Sequence, residues 1–476
     1  MNIKPWSHQL QGLNDIYVAY RSGFRAPIYV LPTGGGKTGV IGLVTEKVIQ
    51  KNGRVLVLTH KANIKSQISK HFTRIGIDHG IIDPDHSMTG DRVQVASVFT
   101  AVNRLDRTQK PNIIIIDEAH HTTATTWMKI IEYFSGSYVL GMTATACRYD
   151  GKPLGRQHGG AFDTIVYGPN YRYLIENGFL TPSCLYAPGA PVDMSGVPLV
   201  GGDYSREKAA SKIDKPVITG CAIEHYLKLC PNEPAIAFCQ TVKHAEHVAQ
   251  QFNEAGIPSS TVDGKMSESM IGHRIDALGT GKIKMLASCE LISEGTDVPV
   301  VSDIIMLRRT MSLSRYKQMG GRGLRAAPQI GKTRCVIQDH VGNSFDRFGH
   351  KVHGFVDEDI EYSLNGEVKI KKNQDEEKIQ AARRCSGCFA MYPAYLQRCP
   401  ECGKEYFTID KKIEVVAGEL VQITGNEIED YKKIKRMEVG QANSYEELRA
   451  IAARRGYNQA WTYRMWNLKK QRRRYG

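Results

Sequence analysis

The chain has 476 residues and a mass of 53.1 kDa, which at roughly 100–200 residues per domain points to about three units and more than one hydrophobic core. Hydrophobic residues make up 41% and charged residues 24%, a balance that excludes global disorder, and no apolar run approaches the ~18–20 residues of a membrane helix. Lys and Arg number 63 against 49 Asp and Glu, a formal +14; a polyanion such as nucleic acid is the first partner to weigh against the plainer reading that the charge only aids solubility.

The first residues, MNIKPWSHQL, carry neither a basic nor an apolar signal region, so the expected location is cytoplasmic, with no membrane partner. From there strand-like and helix-like segments alternate. Ala26–Leu31 is a short apolar run entering a Gly-rich turn, and Thr38–Gln50 follows with Val40, Ile41, Val44 and Val48 at helical spacing. Arg54–Leu58, Val93–Val98, Ile113–Ile116 and Tyr138–Met142 are further β-branched runs. Continuous apolar strands alternating with helices predict a parallel sheet covered on both faces. Residues 150–215, rich in Gly and Pro, read as a connection plus an irregular insertion. The alternation resumes with Ala235–Cys239, a helix through Val242–Phe252, then Lys284–Ser288, Asp303–Leu307 and Arg334–Gln338.

Thr33, Gly34, Gly35, Gly36, Lys37 and Thr38 lie between a strand and a helix, the setting a phosphate-binding loop requires. Glycines let the backbone wrap the β- and γ-phosphates with N–H groups facing the anion. Lys37 reaches the same oxygens, and the Thr38 hydroxyl is placed to ligate Mg2+. Leu31 stands where the outer glycine of the usual spacing would fall. Asn112–Ile116 then ends in Asp117-Glu118-Ala119-His120. A carboxylate at a strand end, in the same domain as the loop, suits Asp117 to hold Mg2+ through water and Glu118 to orient or deprotonate the attacking water.

These motifs resemble those of the superfamily 2 helicases and translocases of the DEAH type, over about residues 1–345. Gln9 resembles the family's adenine-contacting Gln, with Trp6 where an Arg is usual. Residues 55–67 and 93–100 resemble strands whose ends contact a nucleic-acid backbone. Gly141–Ala146 resembles the motif that couples hydrolysis to domain movement, which implies coupling roles for His120, Thr143 and Thr145; Ala146 replaces the usual Pro. Ser293–Pro299 matches a second-domain motif and implies nucleotide contacts from Gly295 and Asp297. Gln318–Arg325 matches QxxGRxxR, which implies catalytic roles for Gln318, Arg322 and Arg325. A permanently charged, forked guanidinium suits developing phosphoryl charge, and placing it on the second domain makes hydrolysis depend on cleft closure. Within the superfamily, Tyr173–Pro182, Thr241–Ala245, Met311–Tyr316 and Asp339–Asn343 are similar to the RadD-like and type III restriction-type members from bacteria or phage.

Of eleven cysteines, seven sit among apolar neighbours and read as reduced core residues. Cys385, Cys388, Cys399 and Cys402 instead form two CxxC knuckles ten residues apart, the pattern of a closed tetrahedral Zn2+ site; a redox pair is the competing reading. Residues 431–476 hold thirteen Lys or Arg against three Glu. A capping box at Ser444 and Glu447 opens a helix, and Trp461, Tyr463, Arg464, Trp466 and Lys469 precede Arg472-Arg473-Arg474. Such a tail either contacts bases and phosphates or closes a small core with solvated charges.

The expected fold is α/β, with two tandem RecA-like parallel-sheet domains followed by a small zinc knuckle and a helical basic tail. The expected divisions are 1–168 (ATP-binding domain), 169–215 (connection), 216–346 (second domain), 347–384 (charged linker), 385–410 (four-cysteine zinc module) and 411–476 (basic region). The expected function is an ATP-dependent nucleic-acid motor using ATP, Mg2+ and Zn2+, with DNA favoured and RNA also open. The alternatives are a DNA-stimulated ATPase that remodels without unwinding, and a non-enzymatic nucleic-acid scaffold.

Overall fold

The computed structural model describes residues 4–366, 382–406 and parts of 439–469; within the first range it leaves out 87–89, 123–124, 149–150, 190, 290–297 and 347–348. The chain divides into two units, Met1–Phe407 and Thr408–Gly476.

In the large unit, seven strands form the first sheet: β1 (Pro27–Val30), β2 (Val55–Thr59), β3 (Gly80–Ile82), β4 (Val93–Ser97), β5 (Ile113–Asp117), β6 (Tyr138–Thr143) and β7 (Thr164–Tyr167). Their order is β3-β4-β2-β5-β6-β1-β7, all parallel. Side chains alternate faces along a strand, so neighbours in register share a layer. Leu56, Ile114 and Val139 pack into one apolar cluster, and Val57, Ile115 and Leu140 into another on the opposite face. Burying both faces is what makes Ile113–Ile116 an unbroken apolar run. Each such side chain contributes roughly 1.5–3 kcal/mol by leaving water.

The second sheet follows the two-residue ribbon of β9 (Leu199–Val200) and β10 (Asp203–Tyr204) but begins before it, with β8 (Ser183–Tyr186). It continues with β11 (Ala235–Cys239), β12 (Ser259–Val262), β13 (Met285–Ser288), β14 (Asp303–Leu307), β15 (Cys335–Asp339), β16 (Ala382–Arg384) and β17 (Met391–Pro393). The order is β12-β13-β11-β14-β15-β8-β17-β16. β8 runs parallel to β15, whereas β17 runs antiparallel to both β8 and β16.

Two stretches read from the sequence as connections are therefore built into this domain. β8 comes from the 169–215 segment and β16 from the 347–384 segment. The Gly/Pro-rich insertion is pinned by Asp203, whose buried carboxylate accepts from the Thr310 hydroxyl (2.8 Å) and the Met311 N–H (2.8 Å) and pairs with Arg315. The charged stretch is pinned by Lys317. Its buried ammonium donates to the carbonyls of Phe355 (3.1 Å), Val356 (2.9 Å) and Glu358.

In the small unit, Ser444 accepts the Glu447 N–H at 3.1 Å and opens the helix Tyr445–Arg454. Leu448 and Ile451 of that helix bury against Ala442, Met465 and Trp466, and Lys469 donates to the Ala442 carbonyl at 2.7 Å. Trp466 thus contributes to a small core. Trp461, Arg464 and Arg472–Arg474 lie outside the described residues. Among the described residues no helix is long and apolar enough to cross a membrane.

Candidate functional site

The glycine-rich loop Thr33–Gly36 sits between the end of β1 and the helix Lys37–Gln50. Gly34 (φ +86°) and Gly36 (φ +90°) hold left-handed conformations that a side chain would strain. Space is short as well: a Cβ on Gly36 would lie 2.5 Å from Gln9 Nε2. The start of the chain braces the loop from outside. The Gln9 amide donates to the Gly36 carbonyl (3.0 Å) while its oxygen accepts the Trp6 N–H (2.8 Å), and His8 Nε2 meets the Gly35 carbonyl (2.9 Å).

A cavity of about 620 Å³ opens over this loop. Thr33, Gly34, Gly36, Lys37 and Thr38 line it from the first domain, joined by Asp117 and Glu118 at the end of β5. Arg322 and Arg325 line it from the second. The two domains touch here. A Cβ on Gly34 would meet Leu180 Cδ2 at 2.8 Å and Arg325 Cγ at 3.2 Å, and one on Gly321 would meet Thr33 Cβ at 2.7 Å. Gln318 is buried but turned aside from the cavity lining, its amide 3.5 Å from Ser314 Oγ. Gly295 and Asp297 lie outside the described residues.

The electrostatics of the cavity favour an added cation and an added anion together. Burial, and then the charge of Glu118, push the Asp117 carboxyl up to about 7. Glu118 adopts a left-handed backbone (φ +51°), which costs an ordinary residue roughly 1–2 kcal/mol. Its Oε2 is buried without a hydrogen bond, 3.4 Å from His120 Nδ1. Two adjacent buried carboxylates with one oxygen unsatisfied fit a divalent cation beside Thr38. Burial lowers the Lys37 ammonium from its ordinary value, and Arg322 and Arg325 add to that while Glu118 and Asp117 oppose it. Three cations around one pocket suit a polyanion.

From Glu118 a polar chain leads toward the second domain. His120 Nδ1 meets Thr143 Oγ1 at 3.0 Å, Thr143 Oγ1 donates to the Thr145 carbonyl at 3.0 Å, and Thr145 Oγ1 lies 2.6 Å from Ser314 Oγ.

Sequence reading overlooks Lys332. Its ammonium collects the carbonyls of Pro299 (3.1 Å), Val301 (2.5 Å), Gly323 (2.7 Å) and Arg325 (2.7 Å), and burial lowers it to about 8. The Arg325 carbonyl also accepts from the Thr181 hydroxyl at 3.3 Å. In the sequence Lys332 lies in the polar loop GKTR, where nothing marks it. Phe179 is likewise unmarked as a site residue, although it packs on Trp6 (5.0 Å between centroids) and His8 (4.5 Å) at the cavity rim.

The four knuckle cysteines come together. Their sulfurs lie within 4.8 Å of one another, with Cys385 to Cys402 at 3.5 Å and Cys388 to Cys399 at 3.6 Å. Four ligands at the ~2.3 Å zinc–sulfur length stand about 3.8 Å apart, so the thiols fit one tetrahedral ion.

Residues 2–148 match the family model "Type III restriction enzyme, res subunit", and residues 221–327 match "Helicase conserved C-terminal domain". A Lactococcus phage protein described only as a 51.5 kDa protein is 32% identical over 383 residues, covering 80% of this chain and 78% of its own. The chain belongs to the superfamily 2 helicases, and with them to the ATP hydrolases. Two solved structures share the fold. One is a fragment described as an HsdR subunit of a type I restriction enzyme from Vibrio vulnificus (TM-score 0.55, 21% identity, 71% of this chain and 64% of that one). The other is the ATP-dependent Type ISP restriction-modification enzyme LlaBIII bound to DNA (TM-score 0.52, 14% identity, 71% of this chain and 28% of that one). Against other curated relatives the chain spans 58%, 57% and 52% of their lengths.

Proposed function

We propose that this helicase-family ATPase is a nucleic-acid motor, acting on DNA, in which ATP binds in the 620 Å³ cavity and hydrolysis requires both domains. The observation that carries this reading is the meeting of Lys37, Asp117 and Glu118 with Arg322 and Arg325 around one pocket. A scaffold without chemistry would have no use for a buried, unsatisfied carboxylate facing three cations.

In this reading the N–H groups of Gly34–Thr38 and the Lys37 ammonium hold the β- and γ-phosphates. Thr38 and Asp117 would hold Mg2+, which would neutralise phosphate charge. Glu118 orients the attacking water and takes its proton at Oε2. Arg325, with Arg322 beside it, stabilises charge on the transferred phosphoryl group. Trp6, on the cavity wall, borders the base, while Gln9 lies outside the lining and holds the loop through the Gly36 carbonyl. The chain from His120 through Thr143 and Thr145 to Ser314 transmits the state of the γ-phosphate to the second domain. Cys385, Cys388, Cys399 and Cys402 would hold Zn2+ in a structural role.

DNA is favoured by the formal +14 and by the DNA bound to the LlaBIII enzyme of shared fold. The test is turnover of ATP with single-stranded, forked and duplex DNA and with RNA as effectors. Stimulation of tenfold or more by DNA supports the reading. Stimulation by RNA alone overturns the choice of substrate, and no stimulation by any of them overturns the motor.

A further inference from the structure

The two cysteine knuckles make the same turn. In the first, the Phe389 N–H donates to the Cys385 carbonyl at 3.1 Å; in the second, the Gly403 N–H donates to the Cys399 carbonyl at 2.9 Å. The residue after the second cysteine is left-handed in both, with φ +66° at Phe389 and +70° at Gly403. Glycine takes that conformation freely, whereas an L-residue does so at a cost. Phe389 is also 55% exposed, so burial does not offset the strain. A strained, exposed aromatic stands where the sister turn uses glycine.

Phe389 borders a cavity of about 460 Å³ between the module, the helix Pro216–Leu229 and the C-terminal ends of β8 and β15. In parallel sheets that end of the strands is where ligands bind. Tyr186, His225 and Gln338 form part of the wall, and two cations sit at the opening. Lys228 Nζ is 5.9 Å from the centroid of the Phe389 ring, and Arg384 is held by its hydrogen bond to the Ala187 carbonyl at 2.7 Å. The carboxylate on the wall, Asp339, is occupied by the N–H groups of Val341, Gly342 and Ser344 and by the Ser344 hydroxyl. The charge offered to a ligand is therefore positive, beside a flat aromatic face.

We propose that Phe389, Lys228 and Arg384 form a stacking subsite on the second domain for one unpaired nucleobase and its flanking phosphate. The proposal rests on the motor reading above and adds where the strand is gripped away from the ATP cleft. The ring supplies a face that any base can stack on, and the cations neutralise phosphate, so the site discriminates unpaired from paired strands rather than one sequence from another.

The test uses full-length protein and measures binding of labelled oligothymidylate, oligouridylate and a blunt DNA duplex. Phe389→Gly relieves the strained turn and retains all four cysteines, so zinc content and folding stay intact. It should weaken single-strand binding about tenfold and change duplex binding by less than about twofold. Lys228→Gln should make log K against log[salt] shallower by about 0.7 on the single strand. Tyr395→Ala removes an aromatic of the same module that is 79% exposed and outside the cavity, and should bind as wild type. Unchanged single-strand affinity in Phe389→Gly, or an equal loss on duplex, overturns the subsite and leaves the motor standing. A wild-type protein that neither binds nor is stimulated by any strand overturns both.

Discussion

Thr145 and Ser314 join their hydroxyls 2.6 Å apart across the cleft, one just after the end of β6 in the first domain and the other in the helix Leu313–Gly321 that leads to Arg322 and Arg325. Both are buried, so the pair is shielded from water. A net hydrogen bond of this kind is worth roughly 0.5–1.5 kcal/mol, or about two- to tenfold in an equilibrium between closed and open cleft. Thr145→Val keeps the shape and removes the hydroxyl. The ratio of DNA-stimulated to unstimulated turnover should fall by about that factor. An unchanged ratio would show that the domains couple elsewhere.

Lys332 should set the rate without touching the nucleotide. It holds the Arg325 and Gly323 carbonyls to those of Pro299 and Val301, so Lys332→Met should lower kcat about tenfold or more and leave the KM for ATP within about threefold. The pH profile separates this from a general loss of structure. Burial lowers the ammonium to about 8, with Arg325 lowering it further and Cys335 and Glu233 raising it. The charged form therefore prevails below about pH 8, and kcat should decline above it. Lys332→Arg, whose charge does not titrate there, should restore much of the rate and hold it at pH 9. Parallel alkaline limbs in the Arg variant and wild type would contradict the assignment.

The cysteine module shares a sheet with the motor. β17 pairs with β8, Cys184 and Tyr186 pack against Cys385, Cys388 and Cys399, and Arg334 pairs with Glu401. One zinc per chain should copurify, and Cys399→Ser should release it. The thermal midpoint of the motor should fall as well, by about 5 °C if roughly 2 kcal/mol of packing is lost. An unchanged motor transition in metal-free protein would mean that the module folds independently.

Acid should weaken the second domain through His244. The ring is fully buried, its Nδ1 accepts the Gln240 N–H at 3.2 Å, and burial lowers its pKa to about 4, with His247 lowering it further and Asp214 opposing. Because the folded value lies below the ordinary ~6.5, the unfolded chain binds the extra proton between these limits, and stability falls as pH drops through them. Between pH 7 and 5 this group accounts for about 1–2 kcal/mol. His244→Asn, which retains an acceptor, should flatten the acid limb by that amount in denaturant titrations. Superimposable limbs would exclude His244 as the cause.

Residues whose chemistry depends on local spacing were legible in the sequence. Gly34, Gly36, Lys37, Asp117, Glu118, Arg322 and Arg325 line one cavity because each lies at a strand end or helix end that the α/β pattern already implies. The buried strands were legible for the same reason, since Ile113–Ile116 must be apolar on both faces. β8, β12 and β17 were not. They are three or four residues long, and Ser183–Tyr186 and Ser259–Val262 carry polar or thiol side chains that break the apolar signal. Lys332, Lys317 and Asp203 escaped notice because their roles are to satisfy groups distant in sequence. Only the fold brings Pro299, Val301, Gly323 and Arg325 around one ammonium.

The measurement that tests the central claim most directly is steady-state hydrolysis by Arg325→Ala, with ATP affinity measured separately. Arg325 reaches the glycine-rich loop from the second domain, its Cγ 3.2 Å from where a Cβ on Gly34 would stand. If hydrolysis needs both domains, kcat should fall by about 10³-fold while ATP still binds within a few-fold of wild type. A variant that keeps kcat and loses ATP affinity would make Arg325 a ground-state ligand and contradict the closure mechanism.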